Sequence, residues 1–110
     1  MNNKAELIKE IENLRFHLDT LCIIEDATID PLLRMEIKTE IRMCLKRIRI
    51  LKDALLDIYL MEIKNTYPQA DAVYEDKIIK IVGEGTLCNL VSKHKIQLCG
   101  CINGRRLYAL

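Results

Sequence analysis

Residues 30–68 read DPLLRMEIKTEIRMCLKRIRILKDALLDIYLMEIKNTYP, and the fold class follows from them. Asp30-Pro31 opens it, Tyr67-Pro68 closes it, and neither Gly nor Pro interrupts it in between. Ile37, Ile41, Cys44, Ile48, Leu51, Leu55 and Ile58 recur at alternating steps of four and three. That is the seven-residue repeat of a helix that packs along a seam. Asp30 is suited to cap the free N–H groups of the first turn, and Pro31 sits where its missing N–H costs nothing. A helix of about 35 residues is roughly 50 Å long at 1.5 Å per residue. That exceeds what a small domain covers by itself, which points to a second copy of the chain, or a partner, along the seam.

Upstream, Leu7, Ile11, Leu14, Leu18 and Leu21 form a second four–three stripe, widened by Ile8 and Cys22, which predicts a helix from about Lys4 to Ile24. Glu6, Lys9, Glu10, Glu12, Arg15 and Asp19 make its polar face. Charge pairs at helical spacing are worth only ~0.2–0.5 kcal/mol each, so the helix depends on its buried stripe. The short link Glu25-Asp26-Ala27-Thr28-Ile29 makes the two helices antiparallel neighbours. The first covers only about 30 Å of the second. Leu51, Leu55, Leu56, Ile58, Tyr59, Leu60 and Ile63 occupy more than one face of the uncovered end. Both the C-terminal tail and a second protomer are expected to cover them.

Tyr67–Ala72 reads as a hinge, because Pro68 forces the residue before it out of helical geometry. It divides a helical hairpin, residues 1–67, from a small tail domain, residues 73–110. In the tail Lys77–Val82 is ambiguous: its β-branched residues suit a strand, whereas Glu75-Asp76 ahead of it suit the first turn of a helix. After the break at Gly83-Glu84-Gly85, Thr86 is a good cap for a helix to about Lys93. Ile96–Ile102 and Arg105–Leu110 then flank Asn103-Gly104. Asn-Gly between two β-prone runs is the strongest short hairpin signal, because both turn residues take positive φ. A two-residue turn pairs Ile102 with Arg105, Cys101 with Arg106, Gly100 with Leu107 and Cys99 with Tyr108. One face carries Leu98, Ile102, Leu107 and Ala109. The other carries Cys99, Cys101, Arg106, Tyr108 and Leu110, so the hairpin is expected to be sandwiched. The fold class is mainly α with a small α+β tail: a long antiparallel helical hairpin, then a helix and a C-terminal β-hairpin.

Seventeen basic against sixteen acidic residues leave a net charge of +1, which argues neither for nor against nucleic acid. The charge is unevenly placed. Residues 1–74 hold eleven Lys/Arg and thirteen Asp/Glu, and residues 75–110 hold six and three. The N-terminal residues lack the apolar run of a signal peptide, and no stretch approaches the ~20 apolar residues of a membrane span. The five cysteines are an odd number without the paired spacing of a secreted scaffold. They read as reduced thiols in a cytoplasmic protein. Cys88, His94, Cys99 and Cys101 make a poor zinc set, since there is no Cys-x-x-Cys pair. Gly83-Glu84-Gly85 is too short for a phosphate loop and lacks the following Lys-Ser/Thr. Asp53 and Asp57, one helical turn apart, suit a solvated face better than acid–base chemistry. No enzyme, cofactor or metal site is expected.

Leu90–Ile96 leading into a hairpin tipped by Asn103-Gly104-Arg105-Arg106-Leu107-Tyr108 resembles the end of a recognition helix followed by its wing, as in winged-helix regulators. The resemblance covers about residues 75–110 and implies that Ser92, Lys93, His94 and Lys95 face DNA while Arg105 and Arg106 grip phosphate. The architecture of two long antiparallel helices followed by a small β region is also similar to small phage proteins that blunt bacterial defence. Those include oligomers that sequester cyclic nucleotides and anti-CRISPR inhibitors. That resemblance implies Arg105, Arg106 and Tyr108 as phosphate and base contacts, with Lys93 and His94 secondary.

The sequence is therefore read as a non-enzymatic, homo-oligomeric binding protein of phage or mobile-element type, in a bacterial or infected host cell. It would act by sequestration or occlusion on an anionic partner: a nucleotide, a nucleic acid or a nucleic-acid-binding protein. The alternative is a winged-helix DNA-binding regulator dimerised through its long helices. Ile48→Glu, in the middle of the repeat, is expected to unfold or dissociate the protein. Circular dichroism with sedimentation checks this, and an unaltered helical assembly would show the seam to be misread.

Overall fold

The computed structural model describes residues 3–110. The elements in order are α1 (Lys4–Ala27), α2 (Pro31–Thr66), β1 (Ala72–Tyr74), α3 (Glu75–Val82), α4 (Glu84–Ser92), β2 (Gln97–Ile102) and β3 (Arg105–Ala109). The protein is mainly α, with a small three-stranded antiparallel sheet at its C-terminal end. It divides into two compact units between Leu55 and Leu56. The expected boundary at the 67–72 hinge is therefore displaced into α2, because the last turns of that helix are core for the tail.

In the first unit both helices start as their sequences suggest. The Asn3 side chain accepts the Glu6 N–H at 2.9 Å, and Asp30 Oδ1 accepts the Leu32 N–H at 3.0 Å. Each satisfies a donor that the first helical turn leaves free. α1 runs one turn beyond the expected Ile24, to Ala27, and closes where the Thr28 N–H donates to the Glu25 carbonyl. The two helices are antiparallel. Cys44 Sγ donates to the Leu14 carbonyl at 3.3 Å, Arg47 meets Glu10 at 3.2 Å, and Lys38 meets Glu25 at 3.8 Å. Leu7, Ile11 and Leu21 of α1 and Ile37, Cys44, Ile48 and Leu51 of α2 are buried, and Ile41 and Leu55 are half-buried. The seam expected between copies lies along these same positions of α2. Ile37, Ile48 and Leu51 are already withdrawn from water in a single chain. A four–three repeat marks any helix face that packs on a helix, whichever chain supplies the neighbour.

The second unit begins with the last turns of α2. Leu56 and Ile63 join Val73, Ile78, Leu87, Leu90, Ile96 and Tyr108 in one core, with Ile63, Ile78 and Leu90 fully enclosed. Ile58, the last residue of the expected seam, is half-buried. Part of the expected hinge is strand: β1 pairs with β3, setting Val73 opposite Tyr108 and Tyr74 opposite Leu107. The ambiguous 77–82 run is helix α3, opened by Glu75 and Asp76 as acids in its first turn. Carboxylates there meet the positive end of the helix dipole. α4 starts at Glu84, two residues ahead of the expected cap Thr86.

The Asn103-Gly104 hairpin forms as read, with φ of 54° and 78° at the two turn residues. Ile102 pairs with Arg105, Cys101 with Arg106 and Gly100 with Leu107, but Leu98, not Cys99, faces Tyr108. A bulge at Cys99 causes the slip: the extra residue shifts the register by one and leaves Cys99 Sγ donating to the Leu107 carbonyl at 3.3 Å. Nor is the hairpin sandwiched. The sheet order β1-β3-β2 leaves β2 at an edge, with five of its six residues exposed. Only the side of β3 that carries Tyr108 enters the core. Ile63→Ala is expected to lower stability by about 2–5 kcal/mol, the cost of a cavity at an enclosed Ile. Urea unfolding followed by circular dichroism measures it.

Candidate functional site

β3 sets Arg105 and Arg106 side by side, and a strand sends successive side chains to opposite faces of its sheet. Arg105 shares the face of Tyr74, which the β1–β3 register places opposite Leu107. Its guanidinium stacks on the Tyr74 ring at 3.9 Å from the ring centre. It also donates to both carboxylate oxygens of Asp76, at 2.8 and 3.0 Å. The charged hydrogen bond from Arg105 holds the Asp76 carboxyl below its usual range, and Asp76 in turn raises the Arg105 guanidinium. Arg106, on the other face, lies 4.0 Å from Glu75 Oε1. Both arginines expected to hold an anion are thus engaged by carboxylates from the first turn of α3. A phosphate at Arg105 would have to displace a two-oxygen carboxylate that is already in place.

Arg106 and Glu75 border a cleft of about 370 Å³, together with Glu84, Cys88, Ser92 and Tyr108 over an apolar floor of Leu87 and Val91. Two carboxylates against one guanidinium leave this cleft slightly acidic at its rim, which suits a cationic or neutral group better than a phosphate. Tyr108, expected to stack on a base, lies in the core with 5% of its surface exposed. Its ring face packs against protein, and only part of the residue reaches the cleft.

Lys93 and His94 are exposed, but His94 also has a backbone task. Its φ is 58°, its N–H donates to the Val91 carbonyl at 3.0 Å, and the Lys95 N–H donates to Leu90 at 2.9 Å. This left-handed cap closes α4. Lys95 Nζ is paired with Asp57 at 2.7 Å. α4 itself, EGTLCNLVS, carries Glu84 as its one charge. The structure thus brings Arg106 and Tyr108 to one cleft, sends Arg105 to the opposite face, and leaves Lys93 and His94 at the end of α4. Cys22, Cys88, Cys99 and Cys101 are exposed free thiols. Among the described residues, no group of three or more His, Cys, Asp or Glu side chains is placed to hold a metal ion. Among the described residues, no helix is long and apolar enough to cross a membrane.

The feature that sequence reasoning missed is in the first unit. Phe16 and Ile23 of α1, Ile29 in the connection, and Leu32, Met35, Met43 and Ile50 of α2 are all exposed. The readable signal was the surplus of apolar residues on α2 beyond the seven of its first repeat. The chain matches no known family model, no curated protein and no solved structure.

Asp76 gives this region a pH signature. Its carboxyl is depressed in the folded state, so its contribution is present above its ordinary value of 3.8 and is lost as pH falls through the lower folded value. Asp76→Asn is therefore expected to lower the unfolding midpoint at neutral pH. The difference from the parent protein should vanish on acidification below that range. A difference that persists at low pH would assign the effect to the substitution's packing and not to the Asp76–Arg105 pair.

Proposed function

We propose that this chain is a non-catalytic, self-associating cytoplasmic protein that acts by occluding a protein partner, in the manner of small phage or mobile-element inhibitors of bacterial defence. The observation that carries the reading is the set of large apolar side chains held outside the first unit's core, from Phe16 and Ile23 to Leu32, Met43 and Ile50. Scattered exposed apolar residues are ordinary, but Leu32, Met43 and Ile50, in one row along α2, mark an interaction surface. The architectural likeness to anti-defence proteins supports the same reading: long antiparallel helices, then a small β region. Among the anionic partners considered from the sequence, a nucleic-acid-binding protein fits better than a free nucleotide. Arg105 already has its carboxylate, and Tyr108 has its ring against the core.

A second reading is favoured by one observation. The last turns of α2 followed by β1, α3, α4, β2 and β3, with sheet order β1-β3-β2, give the element order that the winged-helix resemblance calls for. On that reading α4 is the recognition helix and the Asn103-Gly104 hairpin the wing. The surface chemistry weighs against duplex DNA as its ligand, because α4 offers Glu84 and no base, and the wing arginines are paired. The module then serves protein contact.

Three measurements on the purified chain separate these readings. Native mass spectrometry is expected to show an oligomer without bound small molecule. Nucleotides are expected to leave thermal stability unchanged, whereas a true ligand adds ~2.7 kcal/mol at a hundredfold excess over Kd. Duplex DNA is expected not to bind at moderate salt. Duplex binding whose log affinity falls steeply with log salt, as phosphate contacts require, would replace the leading reading with the DNA regulator.

A further inference from the structure

We propose that a second copy of this chain packs antiparallel along α2, on a face distinct from the one that α1 covers. This packing rests on the self-association in the proposed function and gives it a geometry. Leu32, Glu36, Thr39, Met43, Lys46 and Ile50 lie on α2 at steps of four, three, four, three and four. They form a second heptad seam, roughly 130° around the helix from the one containing Ile37, Cys44 and Ile48. All six are exposed, with Leu32 at 74%, Met43 at 67% and Ile50 at 51%. The seam is about 27 Å long at 1.5 Å per residue.

The second copy is chosen by symmetry and charge. In an antiparallel pair of identical helices, a two-fold axis at the level of Ile41 sets each seam residue opposite the one equally far on the other side of that level. Leu32 then meets the second copy's Ile50, Thr39 meets its Met43, and Glu36 meets its Lys46. Every layer is complementary: apolar on apolar at the ends, a threonine methyl on a methionine at the centre, acid on base between. Each layer occurs twice, so the interface holds two Glu36–Lys46 pairs. A two-fold contact needs one surface that complements itself, and seam charges set orientation and register in helix pairs. The parallel alternative places Glu36 on Glu36 and Lys46 on Lys46 and is excluded by repulsion. Arg42 and Glu40 point further around the helix and do not enter the seam. Arg47 is tied to Glu10 of its own hairpin.

Sedimentation equilibrium of the full chain at low salt, to its highest soluble concentration, tests the packing by charge exchange. The parent protein is expected to be a dimer. Glu36→Lys alone and Lys46→Glu alone each place like charges in two layers and should weaken the dimer by roughly tenfold or more. The double variant Glu36→Lys with Lys46→Glu restores opposite charges and should recover the parent affinity, which a merely structural role for either residue would not produce. All three variants change exposed positions, and unchanged circular dichroism confirms that the hairpin is intact. A parent protein that stays monomeric overturns both this packing and the self-association on which it rests. An oligomer indifferent to the reversals, or not rescued by the double exchange, overturns this packing and leaves self-association standing.

Discussion

A 36-residue helix has to bury its apolar residues, it holds more of them than one neighbour can cover, and both cores of the protein are built on it. Ile37, Cys44, Ile48 and Leu51 are taken up by the hairpin with α1, and Leu56 and Ile63 by the core of the second unit. Helices of this length gain most of their stability from such packing rather than from propensity. Leu32, Met43 and Ile50 remain outside both cores.

The second unit makes the contrasting point about charge. A pair of adjacent arginines at a hairpin tip is an obvious anion-binding feature when seen alone. In the folded chain α3 begins immediately after β1, and this brings Glu75 and Asp76 alongside β3. The arginines, the stacked Tyr74 ring and the two acids become a tie between the start of α3 and the sheet. Exposed pairs of this kind contribute modestly. Their consequence for the site is that both tail arginines already face a carboxylate of the same chain.

Local signals were legible wherever they carried their own physical cause. Asp30-Pro31 and Tyr67-Pro68 bounded α2, and the structure starts it at Pro31 and ends it at Thr66. Asn103-Gly104 specified the hairpin turn because few other residues accept positive φ twice in succession. The bulge at Cys99 was not legible, since it answers to the register that β3 keeps with both of its neighbours. β1 was missed for a similar reason. Three residues carry too little pattern to signal a strand, and this strand exists because β3 offers it an edge. The candidate site was half legible: Arg105, Arg106 and Tyr108 stand together in the sequence, but alternation along β3 separates them and burial removes the tyrosine ring.

The helical hairpin, its capping at Asp30, the β-hairpin and the mainly α class were all readable in the residues, because each follows from periodicity or backbone preference within a short window. Which of the apolar stripes on α2 is consumed inside the chain and which is left over, the division of the compact units within that helix, and the carboxylate partners of Arg105 and Arg106 emerge only once the chain is folded. The physical reason is that burial and ion pairing are properties of neighbours distant in sequence. A heptad or an arginine pair states what a surface can bind, and the fold determines what has already bound it.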